Sequence, residues 1–271
     1  MTSHIEKVDA FRALHVPGDP LLLPNPWDAG TAKLLASIGF HAVATTSSGH
    51  AATLGRLDGA VTREEALQHA ASLVEAVDIP VSADLENGFA DHPDAVFATV
   101  TDAAAVGLAG CSIEDYTGDP KAPIYGVELA VERVAAAARA AARSTGLVLT
   151  ARAENFVRGN PDLDDTIVRL NAYEEAGADV LFAPGMTDLG DIRRVIDSVD
   201  HPVNVLVRPG MANVSELARA GVARISVGGA YSQVALGALT RAGRELLDSG
   251  TFGFMELARS GGKQAAVAFD C

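Results

Sequence analysis

Apolar and polar positions along this chain come in two textures. Short runs of consecutive apolar residues suit strands buried on both faces, as in a parallel sheet. Between them lie longer stretches whose apolar positions return every three or four residues, the spacing of one helix face. The short runs predict strands at about 21–25, 42–48, 80–85, 110–115, 147–153, 179–184, 202–207 and 224–228. The longer stretches predict helices at roughly 28–38, 63–77, 92–106, 126–144, 162–176, 187–198, 213–220 and 230–248. Over 126–144 the stripe is plain, with Val127, Ala130, Val131, Val134 and Ala138 on one face. Four helices end at Gly39, Gly107, Gly177 and Gly221, and an apolar strand follows each within a few residues. Glycine just past a helix takes the left-handed cap at little steric cost. Pro80 and Pro202 open two further strands. Eight alternating units predict a (β/α)8 barrel, one domain over 1–271 with a helical tail at about 251–262. The alternative is an open doubly wound sheet, which is weakened because no strand opens a Gly-x-Gly-x-x-Gly turn.

Composition narrows the class of function. The chain has 271 residues, 48% of them hydrophobic, with a net charge of −14 and a pI near 4.8. It therefore lacks the basic footprint that nucleic acid or an anionic membrane surface requires. An anionic small molecule stays possible, because a metal and one or two arginines invert the local field. Cys111 and Cys271 have no metal-ligand spacing and form no disulfide framework. The polar segment Met1–Lys7 lacks a signal-peptide apolar run, and Ala135–Ala142 is broken by Arg139. The expectation is a soluble cytoplasmic protein.

In a barrel, active groups gather at the C-terminal ends of the strands. Those ends carry Asn25 and Asp28; Ser47, Ser48, Gly49 and His50; Asp84, Glu86 and Asn87; Glu114 and Asp115; Arg152, Glu154 and Asn155; then Asn204 and Arg208. Asp84 and Glu86 stand two apart on a strand, so alternation points both to one face. Their mutual repulsion is relieved by a cation, and a hard ion such as Mg2+ takes one or two carboxylates plus waters. Arg152 sits in the apolar run 148–156, so it is expected to be buried and paired. An ion pair with Glu154 or Glu114 competes there with a substrate-binding role. Asp28 and Asp162 read as helix caps, His69 as an exposed helical residue, and His201 as a turn residue. A serine nucleophile at Ser47 or Ser48 with His50 is disfavoured by their closeness in sequence and by the missing Gly-x-Ser-x-Gly elbow. Gly228-Gly229 before a helix is a weak phosphate-site signal.

Several segments together carry a family resemblance: 23–30 (Leu-Pro-Asn-Pro-Trp-Asp-Ala-Gly), 45–49 (Thr-Thr-Ser-Ser-Gly), 54–58 (Leu-Gly-Arg-Leu-Asp), 83–89 (Ala-Asp-Leu-Glu-Asn-Gly-Phe), 112–115 (Ser-Ile-Glu-Asp), 150–152 (Thr-Ala-Arg) and 202–206 (Pro-Val-Asn-Val-Leu). In this order they resemble the isocitrate lyase/phosphoenolpyruvate mutase superfamily from about Leu22 to Gly243. The resemblance implies a (β/α)8 barrel that binds Mg2+, with Mn2+ as a substitute, and a small anionic 2-oxo carboxylate. It makes Asp84 the metal contact, with Glu86 and Glu114 holding the ion directly or through water. It makes Asp58 an outer-shell acid and Arg152 the arginine for the substrate's other anionic end. Ser48 and Gly49 receive the substrate carboxylate, with His50 and Asn204 as further substrate-binding candidates. It also implies a homo-oligomer, dimer or tetramer, with the last helix exchanged between subunits.

Departures from the family pattern bear on the reaction. The loop 116–126 lacks the Lys-Lys-Cys-Gly-His type motif of the isocitrate and methylisocitrate lyases. Lys121 stands in for the mutase lysine, but no asparagine lies between Tyr116 and Gly126. The segment 228–233 offers Tyr231 and no decarboxylase-type histidine. The expected function is cleavage or formation of a C–C bond next to the carbonyl of a 2-oxo acid through an enolate, oxaloacetate-decarboxylase-like. P–C chemistry, as in phosphoenolpyruvate mutase or phosphonopyruvate hydrolase, is one alternative. A non-catalytic carboxylate-binding relative is the other.

Overall fold

The structure is a computed structural model and describes residues 2–270. Its strands are β1 Leu21–Leu23, β2 Val43–Ala44, β3 Val81–Asp84, β4 Gly110–Glu114, β5 Val148–Arg152, β6 Val180–Phe182, β7 Val203–Leu206 and β8 Arg224–Ser226. All pair in parallel in the order β1-β8-β7-β6-β5-β4-β3-β2. Between β1 and β2 the ladder is replaced by single bonds. Ala44 N–H donates to Pro24 O at 3.0 Å, and Asn25 Nδ2 donates to Thr45 O at 2.9 Å. Asn25 Oδ1 accepts from the N–H groups of Val227 at 3.1 Å and Gly228 at 2.8 Å, so this one side chain ties β1 to both its neighbours. The result is the expected barrel.

The helices are α1 His4–Ala13, α2 Ala29–Ser37, α3 Ser47–Thr53, α4 Arg63–Ala76, α5 Pro93–Ala105, α6 Val127–Arg143, α7 Leu163–Glu175, α8 Leu189–Ile196, α9 Val214–Arg219, α10 Ala230–Arg244 and α11 Met255–Phe269. Two were not anticipated. α1 closes the lower end of the barrel, where its Val8 and Phe11 join Leu21, Ala42, Val148 and Val180 in an apolar cluster. Gly110 makes room for it: a Cβ there would lie 2.6 Å from Phe11 Cε1 and 2.9 Å from Val148 O. α3 replaces the far end of the expected strand 42–48. The Thr46 hydroxyl accepts the Gly49 N–H at 3.3 Å, and a capped helix starts where β-branched residues had implied more strand.

The tail expected at about 251–262 runs further, to Phe269, and α11 lies on α2, with Phe269 against Gly30. α10 buries only Ser232 and leaves Val234, Leu236 and Leu239 exposed. No helix among the described residues is long and apolar enough to cross a membrane.

Candidate active site

Above the apolar plug the barrel interior turns polar. Ser82, Ser112, Asn204, Arg224 and Ser226 line a cavity of about 440 Å³ that opens at the C-terminal ends of the strands. Phe182 and Pro184, from the strand end without ionisable groups, supply its apolar wall.

Asp84 ends β3 at the lip of this cavity. Its N–H donates to Thr45 Oγ1 at 2.9 Å, and its Oδ2 accepts the Ser47 hydroxyl at 3.0 Å. Its Oδ1 accepts from Arg152 Nη1 at 2.9 Å and from the Glu86 N–H at 3.2 Å. Beyond Asp84 the strand stops, which corrects the alternation expected of Asp84 and Glu86. Glu86 has φ +48° and Phe89 φ +60°, left-handed values uncommon outside glycine. The turn is held from outside by Arg133 of α6, whose guanidinium donates to the carbonyls of Asn87, Ala90 and Asp91 and lies 4.3 Å from the Tyr125 ring centroid. That clamp keeps Glu86 beside Asp84 despite the strain.

Arg152, from β5, is the hub. It reaches Asp84 at 2.9 Å, Glu114 Oε2 at 3.0 Å and Glu154 Oε1 at 2.8 Å. Both anticipated ion pairs are present, with Asp84 as a third. Burial opposes the Arg152 charge, but Glu114, Glu154 and Asp84 outweigh it and raise its pKa well above the ordinary value. Glu114 is buried, and desolvation pushes its pKa well up despite Arg152. Glu86 is pushed up to about 7, first by burial and then by the charges of Asp84 and Asp58.

Five carboxylates (Asp58, Asp84, Glu86, Glu114 and Glu154) thus face two guanidiniums, because Arg158 also reaches Glu154 at 3.2 Å and Glu114 at 3.5 Å. This surplus of anionic oxygen is the donor chemistry a hard divalent cation neutralises. Among the described residues no three His, Cys, Asp or Glu side chains are arranged to enclose a metal by themselves. The set fits an ion held by one or two carboxylates, with waters and substrate completing the shell.

The other candidates divide by position. Ser48 lines the cavity, its Oγ 3.1 Å from Thr46 Oγ1, and the exposed Asp58 lines its rim. Asn204 lines it from β7, with Nδ2 donating to Ser226 Oγ at 3.0 Å and Oδ1 unpartnered. Gly49 sits one layer back, where a Cβ would lie 2.5 Å from Thr46 Cγ2 and 3.0 Å from Trp27 Cβ. His50 stacks on His69 with centroids 3.9 Å apart. His69 is therefore buried rather than exposed; its Nε2 meets Trp27 O at 3.0 Å, and burial and then His50 push its pKa down to about 4. Lys121 is exposed on the 116–126 loop and does not line the cavity. That loop is pinned by a Tyr116–Ile124 bridge and by Thr117 N–H on Pro123 O at 2.9 Å.

Asp28 and Asp162 cap α2 and α7 as expected. Arg158 went unnoticed in the sequence; its signal was the i, i+4 spacing from Glu154 on the short helix Asn155–Arg158. Its guanidinium lies 3.5 Å from the Tyr116 ring centroid.

A parallel (β/α)8 barrel with an acid-rich, arginine-bridged cavity at its strand ends defines the class: an enzyme-type barrel whose side-chain chemistry fits a cation and an anion together. The phosphoenolpyruvate phosphomutase family model matches residues 11–247, and the chain belongs to that family, within the isocitrate lyase/phosphoenolpyruvate mutase superfamily. A solved protein of Burkholderia cenocepacia J2315, provisionally described as a lyase/mutase, is 51% identical with a TM-score of 0.91, covering 93% of this chain and 92% of that one. The 2-methylisocitrate lyase of Escherichia coli is 30% identical over 215 residues, 76% of this chain and 69% of the relative. At 23% identity, a phosphonopyruvate hydrolase solved with oxalate and Mg2+ has the same fold, with a TM-score of 0.82 over 93% of this chain and 90% of that one.

Proposed function

We propose that this chain is a cytoplasmic, Mg2+-dependent enzyme that breaks or forms the C–C bond next to the carbonyl of a small 2-oxo carboxylate, in the manner of an oxaloacetate decarboxylase. The observation that carries this reading is the convergence of Asp84, Glu114 and Glu154 on Arg152 at the cavity lip, with the charge of Glu86 and Asp58 left over. The complex of phosphonopyruvate hydrolase with oxalate and Mg2+ supports it by analogy of fold.

In this reading Asp84 holds the ion and the Ser47 hydroxyl keeps its carboxylate oriented. Glu86 and Glu114 support the ion directly or through water. When bound, Mg2+ supplies a Lewis acid for the enolate oxygen that develops as the bond breaks. Arg152 draws in the substrate's anionic end by exchanging part of its carboxylate shell for substrate oxygens. Ser48, backed by Gly49, receives the carboxylate next to the carbonyl, with His50 behind; Asn204 orients the chain from below, and Asp58 guards the rim. Phe182 and Pro184 keep one wall dry, which strengthens the charge interactions beside it.

A second reading, P–C bond chemistry, is favoured by one feature: Arg158 places a second guanidinium beside Arg152, a pair suited to a phosphonate. The acid set weighs against a third, a non-catalytic carboxylate binder, because keeping so many like charges together costs free energy without a cation. A homo-oligomer, dimer or tetramer with the last helix exchanged, would cover apolar groups left exposed on one subunit, such as Val234, Leu236 and Leu239 of α10 and the outward Leu22 of β1.

The test is a panel of 2-oxo acids with Mg2+, monitored for pyruvate, glyoxylate and phosphate release. Release of a 2-oxo product without phosphate supports C–C chemistry, and phosphate release supports the second reading. Absence of Mg2+ binding by calorimetry would sink both.

A further inference from the structure

Asp115 follows the last residue of β4, yet its side chain does not line the cavity. It is 3% exposed, and all three of its oxygens are used. Oδ1 accepts the Glu154 N–H at 2.8 Å, while Oδ2 accepts the Tyr173 hydroxyl at 2.6 Å and Arg169 Nη1 at 3.2 Å. In the main chain its N–H donates to Arg152 O at 3.2 Å, and its carbonyl accepts the Tyr125 N–H at 3.0 Å. Asp165, Arg169 and Tyr173 recur every four residues of α7, which puts them on one face. Arg169 Nη1 also donates to Tyr125 O at 2.9 Å, and its Nε donates to Asp165 Oδ2 at 2.7 Å. That oxygen accepts Asn155 Nδ2, again at 2.7 Å. One helix face thus holds the end of β4, the segment after β5 and the far end of the 116–126 loop.

Arg169 and Tyr173 are buried, and neither lines the cavity. A contact that only docked α7 on the barrel could be apolar, as it is at Leu170 beside Arg169. Replacing a buried ion pair by apolar side chains is often neutral or stabilising, so stability alone does not call for this one. What an apolar group cannot do is extend a sheet ladder. The β4–β5 pairing ends with Glu114 opposite Arg152. The Asp115 N–H takes the Arg152 carbonyl, and the Asp115 carboxylate takes the Glu154 N–H, one more rung where β5 has stopped. The side chains bracketed in this way build the lip. Glu154 Oε1 accepts Arg152 Nε at 3.0 Å and Nη2 at 2.8 Å, and Glu154 Oε2 accepts Arg158 Nε at 3.2 Å.

We propose that Asp115 is a positioning residue, held by Tyr173 and Arg169, that fixes the angle of the Arg152 fork through Glu154. α7, which lies outside the site, thereby sets how well the lip grips an anion. This rests on the reading of Arg152 as the arginine for the substrate's anionic end. Asp115 takes no part in making or breaking a bond. Asp84 is independent of the bracket, since Thr45 and Ser47 hold it from β2 and α3.

The experiment compares Tyr173→Phe, Arg169→Met and Asp115→Asn with the wild type in the full chain, by two readings. The first is solvent exchange of the Arg152 Nε–H in the absence of ligand, followed by NMR and assigned by its loss in Arg152→Lys. Exchange should be slow in the wild type, where Glu154 holds the proton, and about tenfold faster in each variant, as when local opening loses one hydrogen bond. The second is calorimetry with Mg2+ alone and then with Mg2+ and oxalate, an anion with a carboxylate at each end. Oxalate should bind Tyr173→Phe about threefold to tenfold more weakly, the range of one hydrogen bond, and Arg169→Met more weakly still. Mg2+ affinity should stay within about twofold throughout. Tyr173→Phe keeps the ring and carries the test if the charge-altering variants do not fold. Leu170→Ala empties core volume under the same helix without removing a polar contact. It should lower the melting temperature and leave both readings as in the wild type. Variants that melt earlier with unchanged Nε–H exchange would reduce the network to a structural anchor and overturn the proposal, as would equal losses in Leu170→Ala. Failure of Mg2+ and oxalate to bind the wild type would instead overturn the metal reading, while the Nε–H exchange still decides on Asp115.

Discussion

At the lower end of the barrel Phe11 lies against Gly110 among Leu21, Ala42, Val148 and Val180, while at the upper end Arg152 is ringed by Asp84, Glu114 and Glu154. The two ends share strands and differ in what a substitution removes. Below, this cluster is apolar, so a lost group leaves a cavity. Above, like charges are held together by Arg152 and Arg158, so a lost carboxylate relieves repulsion and, in the proposed reading, removes the chemistry. If the proposed function holds, stability and function are drawn from opposite ends of the same eight strands, and substitutions should separate them.

The largest effect is expected at the top. Asp84→Asn should lower kcat/KM by at least about a thousandfold, on the order of 4 kcal/mol in transition-state terms, with a melting temperature equal to or above wild type. Thermal melts beside steady-state kinetics check this, and an unfolded Asp84→Asn protein would make Asp84 structural. Phe11→Ala is the mirror image. It should cost about 3–5 kcal/mol of stability in denaturant titration, with kcat unchanged where the protein stays folded. Next comes Arg152→Lys, expected to weaken substrate binding about a hundredfold, because a point charge does not replace a bidentate fork. An unchanged KM would leave the ion pairs as its whole role.

A pH experiment probes the same contrast more gently. The Glu86 pKa is about 7 in the folded chain against an ordinary 4.5, so folding favours the protonated form. Its contribution is fully present below pH 4.5 and is lost as the pH rises through 7, by about 1–2 kcal/mol after allowance for solvent. Melts of the metal-free protein between pH 4.5 and 7.5 should show that decline, and Glu86→Gln should flatten it. Mg2+ added near pH 6.5 should expel the proton, which calorimetry in buffers of different ionisation enthalpy detects. The smallest effect is Lys121→Ala, expected to leave kcat/KM within about twofold, the usual range for an exposed side chain off the site. A large loss would favour P–C chemistry, in which that loop supplies a lysine.

The barrel was legible because its signals are local. Doubly buried strands are continuous apolar runs, and glycine or proline punctuates the helix-to-strand connections. α1 was not, since only Val8 and Phe11 of its ten residues are buried, too few to write a stripe. α3 was hidden because the β-branched Thr45 and Thr46 look like strand, although Thr46 turns its hydroxyl into a cap. Asp84, Glu114 and Arg152 stood out as ionisable groups at the ends of apolar runs. The burial of His69 and the network around Asp115 did not, because both depend on residues far away in sequence: His50 in one case, Arg169 and Tyr173 in the other. Alternation failed for Glu86 because it holds only while φ stays extended, and the Arg133 clamp that bends the chain comes from another helix.

The side chain of Asn25 binds the N–H of Gly228, 203 residues further along. At ribosomal speeds of about 5–20 residues per second, that interval is roughly 10–40 s of translation. During it the emerging N-terminal strands have no closing partner and expose a growing sheet edge inside the cell. Barrel closure is therefore a late, single event in the life of each new chain, and a defect at Asn25 would be felt first as loss of protein during synthesis, before any change in the finished enzyme.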